Sequence, residues 1–387
     1  MSKRLLAAVA CTGAFILTLP GTAAAQDTVK IGVVQSMTGN LSPTGRQVIA
    51  GARLYMQLNG DTVAGKKVQL IVKDDTSAPD MAKRLAQELI VNEKVHLLGL
   101  GITPVALAVA PLSTEAKIAT VVMVSGTSVV VERSPYFVRT SFTLGQQALV
   151  MGQWAAKNGI KKVAIVQADW APGNEATNVF TSAFTAGGGQ VLETLKVPLA
   201  NPDYSPFLQR AADTKPDALF AFPSAQAGIF FKQFKERGLD KSGIRVIGPG
   251  DVTDDDELPN MDDGILGAIT AGGYSAAHNS PTNKAYVEAF KKANNFRPNF
   301  ISLGGYDGMH VIYEALKKTG GKTDGDAVIA AMKGMAWESP RGPMSIDPDT
   351  RDLIQNIYIR RVERVGGELY NTEIETTEAV KDPLHKK

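Results

Sequence analysis

From Thr28 onward, short apolar runs rich in β-branched residues alternate with segments whose apolar positions recur at helical spacing. Val29-Lys30-Ile31-Gly32-Val33-Val34 reads as a first strand. A Gly/Ser/Pro loop from Thr38 to Gly45 then leads into a helix with Val48, Ile49, Ala52, Tyr55 and Met56 on one stripe. Val68 to Val72 is a second strand, and Ser77-Ala78-Pro79-Asp80 opens a second helix. His96 to Leu100, Pro104 to Ala116 and Ala119 to Val124 continue the series as strand, helix and strand. Strands that alternate with amphipathic helices predict an α/β fold built on parallel sheets.

A second set follows a polar, hinge-like stretch at Ser141 to Gln147. Its expected strands are Lys162 to Gln167, Gln190 to Val197, Asp217 to Phe222 and Gly243 to Ile247. A helix runs from about Asn174 to Ala186, and another carries Phe230, Phe231 and Phe234 on one face before Gly238 stops it. Two doubly wound units in series are therefore expected. A third stretch, Tyr286 to Met335, returns to helix-rich sequence, with Met309, Ile312, Tyr313 and Leu316 on one helix face. Gln355 to Ile359 and Glu368 to Tyr370 read as a β-hairpin too small to bury itself, so it must dock on an earlier unit.

The N-terminus changes the compartment. Lys3 and Arg4, the apolar run Leu5 to Leu19 and the small residues Ala23-Ala24-Ala25 before Gln26 have the form of an export signal cleaved after Ala25. The run is shorter than the ~20 apolar residues a spanning helix needs. Cys11, the single cysteine, lies inside that run with apolar residues continuing past it, which disfavours lipidation. The mature chain would then hold no cysteine, and so no disulfide, thiolate nucleophile or cysteine metal site. Of 41 basic residues, loss of Lys3 and Arg4 leaves 39 against 39 acidic ones. That neutral balance argues against nucleic acid or an anionic membrane as partner. With 44% hydrophobic residues over roughly 360 mature positions, two sizeable domains are expected.

Val29 to Val34 with Met37-Thr38-Gly39, then Gly45 and Gly51-Ala52, are the first of a series of short motifs. The series continues with Val72-Lys73-Asp74-Asp75-Thr76, Leu85-Ala86-Gln87-Glu88-Leu89-Ile90, Gly126-Thr127-Ser128, Asp203-Tyr204-Ser205-Pro206-Phe207 and Gly248-Pro249-Gly250. In this order and spacing, behind an export signal, the chain resembles type I periplasmic binding proteins of the leucine/isoleucine/valine-binding class. The resemblance covers essentially the whole mature chain. It implies two lobes joined by a three-crossover hinge, with crossings near residues 145, 272 and 346. Lobe one would be 27–145 plus 273–346, and lobe two 146–272 plus 347–380. It also implies a monomeric, non-enzymatic receptor in the periplasm, which hands a small carboxylate to an ABC permease and ATPase complex without any cofactor.

Ligands of doubly wound sheets sit beyond the carboxyl ends of the strands, where helix N-termini favour anions. Gly101-Ile102-Thr103-Pro104 has that form: Thr103 is either the cap of its own helix or, as the resemblance implies, also a carboxylate ligand. Thr127 in Gly126-Thr127-Ser128 carries the same implication, against an ordinary turn. Thr44 stands where relatives have an aromatic cleft residue, which alters pocket size. On the second unit the candidates are Trp170, Ser224 (where relatives place a tyrosine), Gly250 and Asp251. Trp170 is equally readable as a partly buried anchor. Gly250 occupies a position that is acidic in amino-acid-binding members. Asp251 beside it is the available substitute, though a neighbour's side chain usually points elsewhere. A buried ammonium without a carboxylate partner costs several kcal/mol, so the cleft is expected to disfavour α-amino acids. Two hydroxyls with Trp170, Tyr274 and Tyr306 would suit an aromatic acid. Asp169-Trp170-Ala171-Pro172-Gly173-Asn174 and Tyr274-Ser275-Ala276-Ala277-His278 are similar to the subgroup that binds lignin-derived aromatic acids.

Enzyme signatures are missing from the sequence: no Gly-x-Ser-x-Gly elbow, no His-Glu-x-x-His helix and no phosphate-binding glycine loop with Lys-Ser/Thr. His96, His278, His310 and His385 are scattered. Asp254-Asp255-Asp256-Glu257 lacks the alternating spacing and glycine of a calcium loop and reads as a solvated helix start, so no metal site is expected. A branched-chain amino-acid receptor, a ligand-sensing module for a membrane receptor and an amidase-type enzyme remain as alternatives.

Overall fold

Two sheets, each covered by helices on both faces, organise the chain in a computed structural model that describes residues 27–224 and 226–385. The expected signal, its cleavage site and Cys11 lie outside the described residues. Sheet one contains β1 (Thr28–Gln35), β2 (Thr62–Val63), β3 (Lys66–Asp74), β4 (Leu97–Leu100), β5 (Thr120–Val122) and β6 (Phe137–Arg139), in the order β2-β3-β1-β4-β5-β6. All its pairings are parallel except the short β2–β3 contact. Ile31, Val33, Leu97 and Val121 face α1 (Ser42–Asn59). Their alternates Val34, Leu98, Leu100 and Val122 face α2 (Pro79–Val91) and α3 (Thr103–Glu115). Burial on both faces is why these strands read as unbroken apolar runs.

Sheet two repeats the plan with β7 (Lys162–Ala168), β8 (Gln190–Val197), β9 (Ala218–Phe222), β10 (Arg245–Pro249) and β11 (Ile269–Gly272). On one side lie α4 (Leu144–Lys157) and α5 (Ala171–Ala186), on the other α6 (Ser205–Asp213) and α7 (Ala227–Glu236). The chain then returns to the first unit through α8 (Pro281–Asn294), α9 (Phe300–Lys318) and α10 (Gly325–Met332). Four strands close the fold: β12 (Ala336–Ser339), β13 (Gly342–Ile346), β14 (Leu353–Val365) and β15 (Glu368–Val380). β13 and β11 both pair antiparallel with β14, so residues 336–346 already belong to the second sheet, ahead of the crossing expected near 346. The terminal hairpin is far longer than its apolar core suggests, because β15 alternates Thr and Glu on an exposed side while β14 is buried.

Two contacts fix α9, and with it one wall of the cleft. α1 and α9 cross at glycines: a Cβ on Gly51 would stand 1.9 Å from the Ser302 carbonyl oxygen, and one on Gly305 2.1 Å from that of Val48. Any side chain at either position would push the helices apart. Asp307 of α9 pairs with Arg341 at 2.8 Å, both side chains 1% exposed, and also accepts from Trp337 and Ser339. Removing one partner of such a buried pair typically costs ~3–5 kcal/mol.

The stretch Ser141 to Gln147, expected to be a polar hinge, is fully buried. Its polar residues satisfy main chain where the lobes join. Gln146 Nε2 donates to the carbonyls of Leu353 and Val380, and Arg341 donates to those of Thr140 and Ser141. Nearby, Asp352, Asp382 and His385 lie together, each with another partner. Arg139 pairs with Asp352 at 2.9 Å, His385 bridges Asp352 and Glu132, and Asp382 accepts from Ser128. Ion pairing accounts for that cluster. Among the described residues no helix is long and apolar enough to cross a membrane.

Candidate functional site

A cavity of about 170 Å3 lies between the carboxyl ends of the strands of both sheets. Its scale is that of the ~150 Å3 apolar cavity known to accept a benzene ring. Loops after β4 and β5 and the starts of α1 and α9 form one side; loops after β7, β9 and β10 form the other. This is the strand-end crevice where doubly wound sheets bind ligands.

On the first side, Thr103 is the first residue of α3. Ile102, not Thr103, is the cap residue, and no side chain caps this helix end. The Thr103 hydroxyl instead stands 2.8 Å from that of Ser125 and 3.1 Å from that of Thr127. Thr103, Ser125 and Gly126 line the cavity; Thr127 stands behind them as a partner of Thr103 and is not part of the wall. Arg139 holds this loop from behind, donating to the carbonyls of Ser125, Thr127, Ser128 and Phe142. The hydroxyls therefore converge beside the unpaired first amides of α3, an arrangement suited to a carboxylate. Among the described lining residues there is no lysine, arginine or histidine. Neutral donors and a helix end must meet any anionic charge.

Aromatic rings supply the walls. Phe142 and Phe300 meet edge to face with ring centroids 4.8 Å apart, and Trp170 and Phe222 approach from the second lobe. Trp170 precedes α5, and its Nε1 is buried with no hydrogen-bond partner among the described residues. Thr44 and Ser224 also line the cavity, Ser224 with a left-handed backbone at φ 57°.

The far wall is acidic. Asp251, Asp254, Asp256 and Glu257 all line the cavity. The run Asp254 to Glu257 is thus no solvated helix start: Asp254 and Asp255 are buried, at 9% and 1% exposure. Burial pushes the Asp251 carboxyl up to about 6 and that of Glu257 up to about 7. It also drives Asp254 well above the usual carboxylate range, with repulsion from Glu257 adding to the effect. Asn299, the cap of α9, donates to both Asp254 oxygens, and Arg46 of α1 pairs with Asp256 at 2.8 Å. Glu175 accepts from the amide and hydroxyl of Ser128. These contacts tie one lobe to the other across the cavity mouth.

Besides Thr127, three expected site residues lie outside the wall. Gly250 does not reach the cavity: its amide donates to Gln147, its carbonyl accepts from Arg360, and a Cβ would stand 2.9 Å from the Arg360 guanidinium. The fully buried Arg360 occupies the space an acidic side chain would need there. Tyr274 is 0% exposed in the core, its hydroxyl donating to Asn283. Tyr306 packs edge-on against Tyr55 and Tyr286, and burial raises its hydroxyl to about 12. Ser125, Phe142, Phe222, Asn299 and Phe300 were not anticipated as site residues, and Asp254 and Glu257 were read only as part of a solvated run. Of the first five, only Ser125, one residue before a singled-out loop, left a sequence signal.

Comparison with known proteins gives a consistent picture. A family model described as periplasmic binding protein matches residues 28–368. The chain is 42% identical over 382 residues to the Leu/Ile/Val-binding protein homolog 6 of Brucella melitensis biotype 1, covering 97% of this chain and 98% of the relative. It is similar to the solved solute-binding protein of an ABC transporter from Rhodopseudomonas palustris BisB5 in complex with 3,4-dihydroxybenzoic acid. There the identity is 62% and the TM-score 0.90, over 92% of this chain and 99% of the other. A solute-binding protein of an ABC transporter from Rhodopseudomonas palustris HaA2, solved with p-hydroxybenzoic acid, shares 40% identity at a TM-score of 0.88 over 92% and 99% of the two chains.

Proposed function

The chain belongs to the periplasmic binding protein family, and on that premise we propose that it is the receptor of an ABC importer for aromatic carboxylic acids. The observation that carries this reading is the cavity itself. Hydroxyls of Thr103 and Ser125 at a helix start face a slot walled by Phe142, Phe300, Trp170 and Phe222. The carboxylate would sit at the hydroxyls and the α3 N-terminus, with the ring in the slot. Ring-on-ring contacts add ~0.5–1.5 kcal/mol each beyond buried area. The hydroxybenzoates held by two similar proteins support the same class.

The acidic far wall supplies carboxylates that Gly250 lacks, so the absence of an acid at Gly250 does not by itself exclude an α-amino acid. The aromatic walls favour a planar ring over a branched aliphatic side chain. In this reading the receptor performs no chemistry on its ligand. Export through the Met1 to Ala25 signal would place it in the periplasm as a monomer, delivering the ligand to a permease and ATPase complex. Hinge motion would fall where the chain passes between lobes, at 140–143, 273–280 and 333–335. A ligand that touches both lobes favours the closed state by its differential affinity for it.

A thermal-shift screen of the purified mature protein tests the reading, since a ligand bound only by the folded state raises the melting temperature. Benzoate and its hydroxylated derivatives are expected to raise it. A rise with leucine, isoleucine or valine and none with any aromatic acid would refute it.

A further inference from the structure

Asp251, Asp254 and Glu257 stand together on the wall opposite the Thr103 and Ser125 hydroxyls, yet a carboxylate ligand needs no acid there. Asp254 is accounted for by Asn299 and the Asp256 amide. Asp251 is not: its Oδ1 is sealed from solvent and has no hydrogen-bond partner among the described residues. A buried acceptor left unpaired costs ~1–3 kcal/mol, so a donor is expected to arrive with the ligand. Arg360 does not supply one: its terminal nitrogens donate to the carbonyls of Tyr274 and Gly250 and the hydroxyl of Thr270, and its Nε makes no hydrogen bond to Asp251 or to any other described residue.

Resting on the aromatic-acid reading above, we propose that Asp251, with Glu257 beside it, forms a distal subsite that accepts hydrogen bonds from ring hydroxyls opposite the carboxylate. The subsite makes the receptor select hydroxylated benzoates over benzoate itself. The chemistry fits the position. Phenolic hydroxyls are donors, the aromatic slot directs the ring edge away from the carboxylate end, and carboxyl oxygens accept from them in a water-poor cavity. Benzoate would leave Asp251 Oδ1 without a donor, whereas a 3,4-dihydroxy ring brings two. A site built to pair a ligand hydroxyl discriminates strongly against the analogue lacking it, since its own polar groups are left unpaired.

Calorimetry with benzoate, 4-hydroxybenzoate and 3,4-dihydroxybenzoate on the full mature chain tests this. The wild-type protein should bind the dihydroxy acid roughly tenfold or more tightly than benzoate, the scale of one hydrogen bond to a charged group. Asp251→Asn and Glu257→Gln, both close in shape, should each shrink that ratio, weakening the dihydroxy acid more than benzoate. Residual benzoate binding by each variant reports that it is folded. Equal wild-type affinity for all three acids, or an unchanged ratio in both variants, would overturn the subsite while leaving the aromatic-acid reading intact. Failure of all three to bind would overturn both.

Discussion

The Asn299 side-chain amide of α9 donates to both carboxyl oxygens of Asp254, at 3.0 and 2.9 Å, across the cleft between the lobes. Asn299 at the same time accepts from the amides of Ile301 and Ser302, so one residue both starts α9 and clasps the opposite lobe. The first residues of that helix, Phe300 and Ile301, are cavity wall. The helix start, the closed cleft and the ligand wall are thus mechanically linked.

Asn299→Asp separates the two roles. Aspartate still caps the helix, but it faces Asp254 with an acceptor where a donor stood. Loss of such a bond costs ~0.5–3 kcal/mol, so ligand affinity should fall about tenfold at neutral pH. It should recover in part at lower pH, because burial holds the Asp254 carboxyl well above the usual range and the protonated acid can share its proton with the new aspartate. Titration calorimetry at neutral and at lower pH reads this out. Affinity equal to wild type at both would mean that the clasp does not contribute to closure.

Thr103 and Ser125 are expected to hold the carboxylate. Because the Thr103 hydroxyl caps no helix, Thr103→Ala should weaken binding roughly 10- to 150-fold, the range for one hydrogen bond to a charged group. The melting temperature of the empty protein should change little. Thr103→Ser, which keeps the donor, should bind nearly as wild type, and Ser125→Ala should behave like Thr103→Ala. Unaltered affinity in both alanine variants would show that the carboxylate sits elsewhere.

Thr103, Trp170 and the two-sheet plan were legible because they rest on local grammar: a strand end, a Gly-x-Thr-Pro helix start, an apolar run. The acidic wall was not. A run such as Asp254 to Glu257 is solvated unless another element covers it, and the covering residue, Asn299, lies 45 positions further along. Tyr274 and Tyr306 misled for a related reason. Composition supplies aromatic residues but not their neighbours, and Tyr306 is taken up by Tyr55 and Tyr286 in the first-lobe core. Gly250 misled because Arg360, 110 residues further along, fills the space beside it and no local pattern shows that.

Acidity of the far wall makes stability depend on pH in a defined direction. Burial raises Asp251 from 3.8 to about 6 and Glu257 from 4.5 to about 7 in the folded chain. Between pH ~4 and ~7 these two groups therefore hold more protons in the folded state than in the unfolded one, and their contribution to stability falls as pH rises through that window. Glu257→Gln removes one such group. Relative to wild type, its melting temperature should gain roughly 2–4 °C between pH 4.5 and pH 7.5. Thermal denaturation of the ligand-free protein across this range checks the sign. A constant difference between the two proteins, or one that narrows in the variant's disfavour, would contradict the burial of Glu257.

The most direct test of the account sets ligand classes against each other on one protein. Purified mature chain, unfolded and refolded to strip any carried ligand, is titrated by calorimetry with 4-hydroxybenzoate, 3,4-dihydroxybenzoate, leucine, isoleucine and valine. The structure predicts saturable one-to-one binding of the hydroxybenzoates, tighter than that of any aliphatic amino acid. Tighter binding of leucine, isoleucine or valine than of every aromatic acid would contradict it, and would reassign the acidic wall to a ligand ammonium.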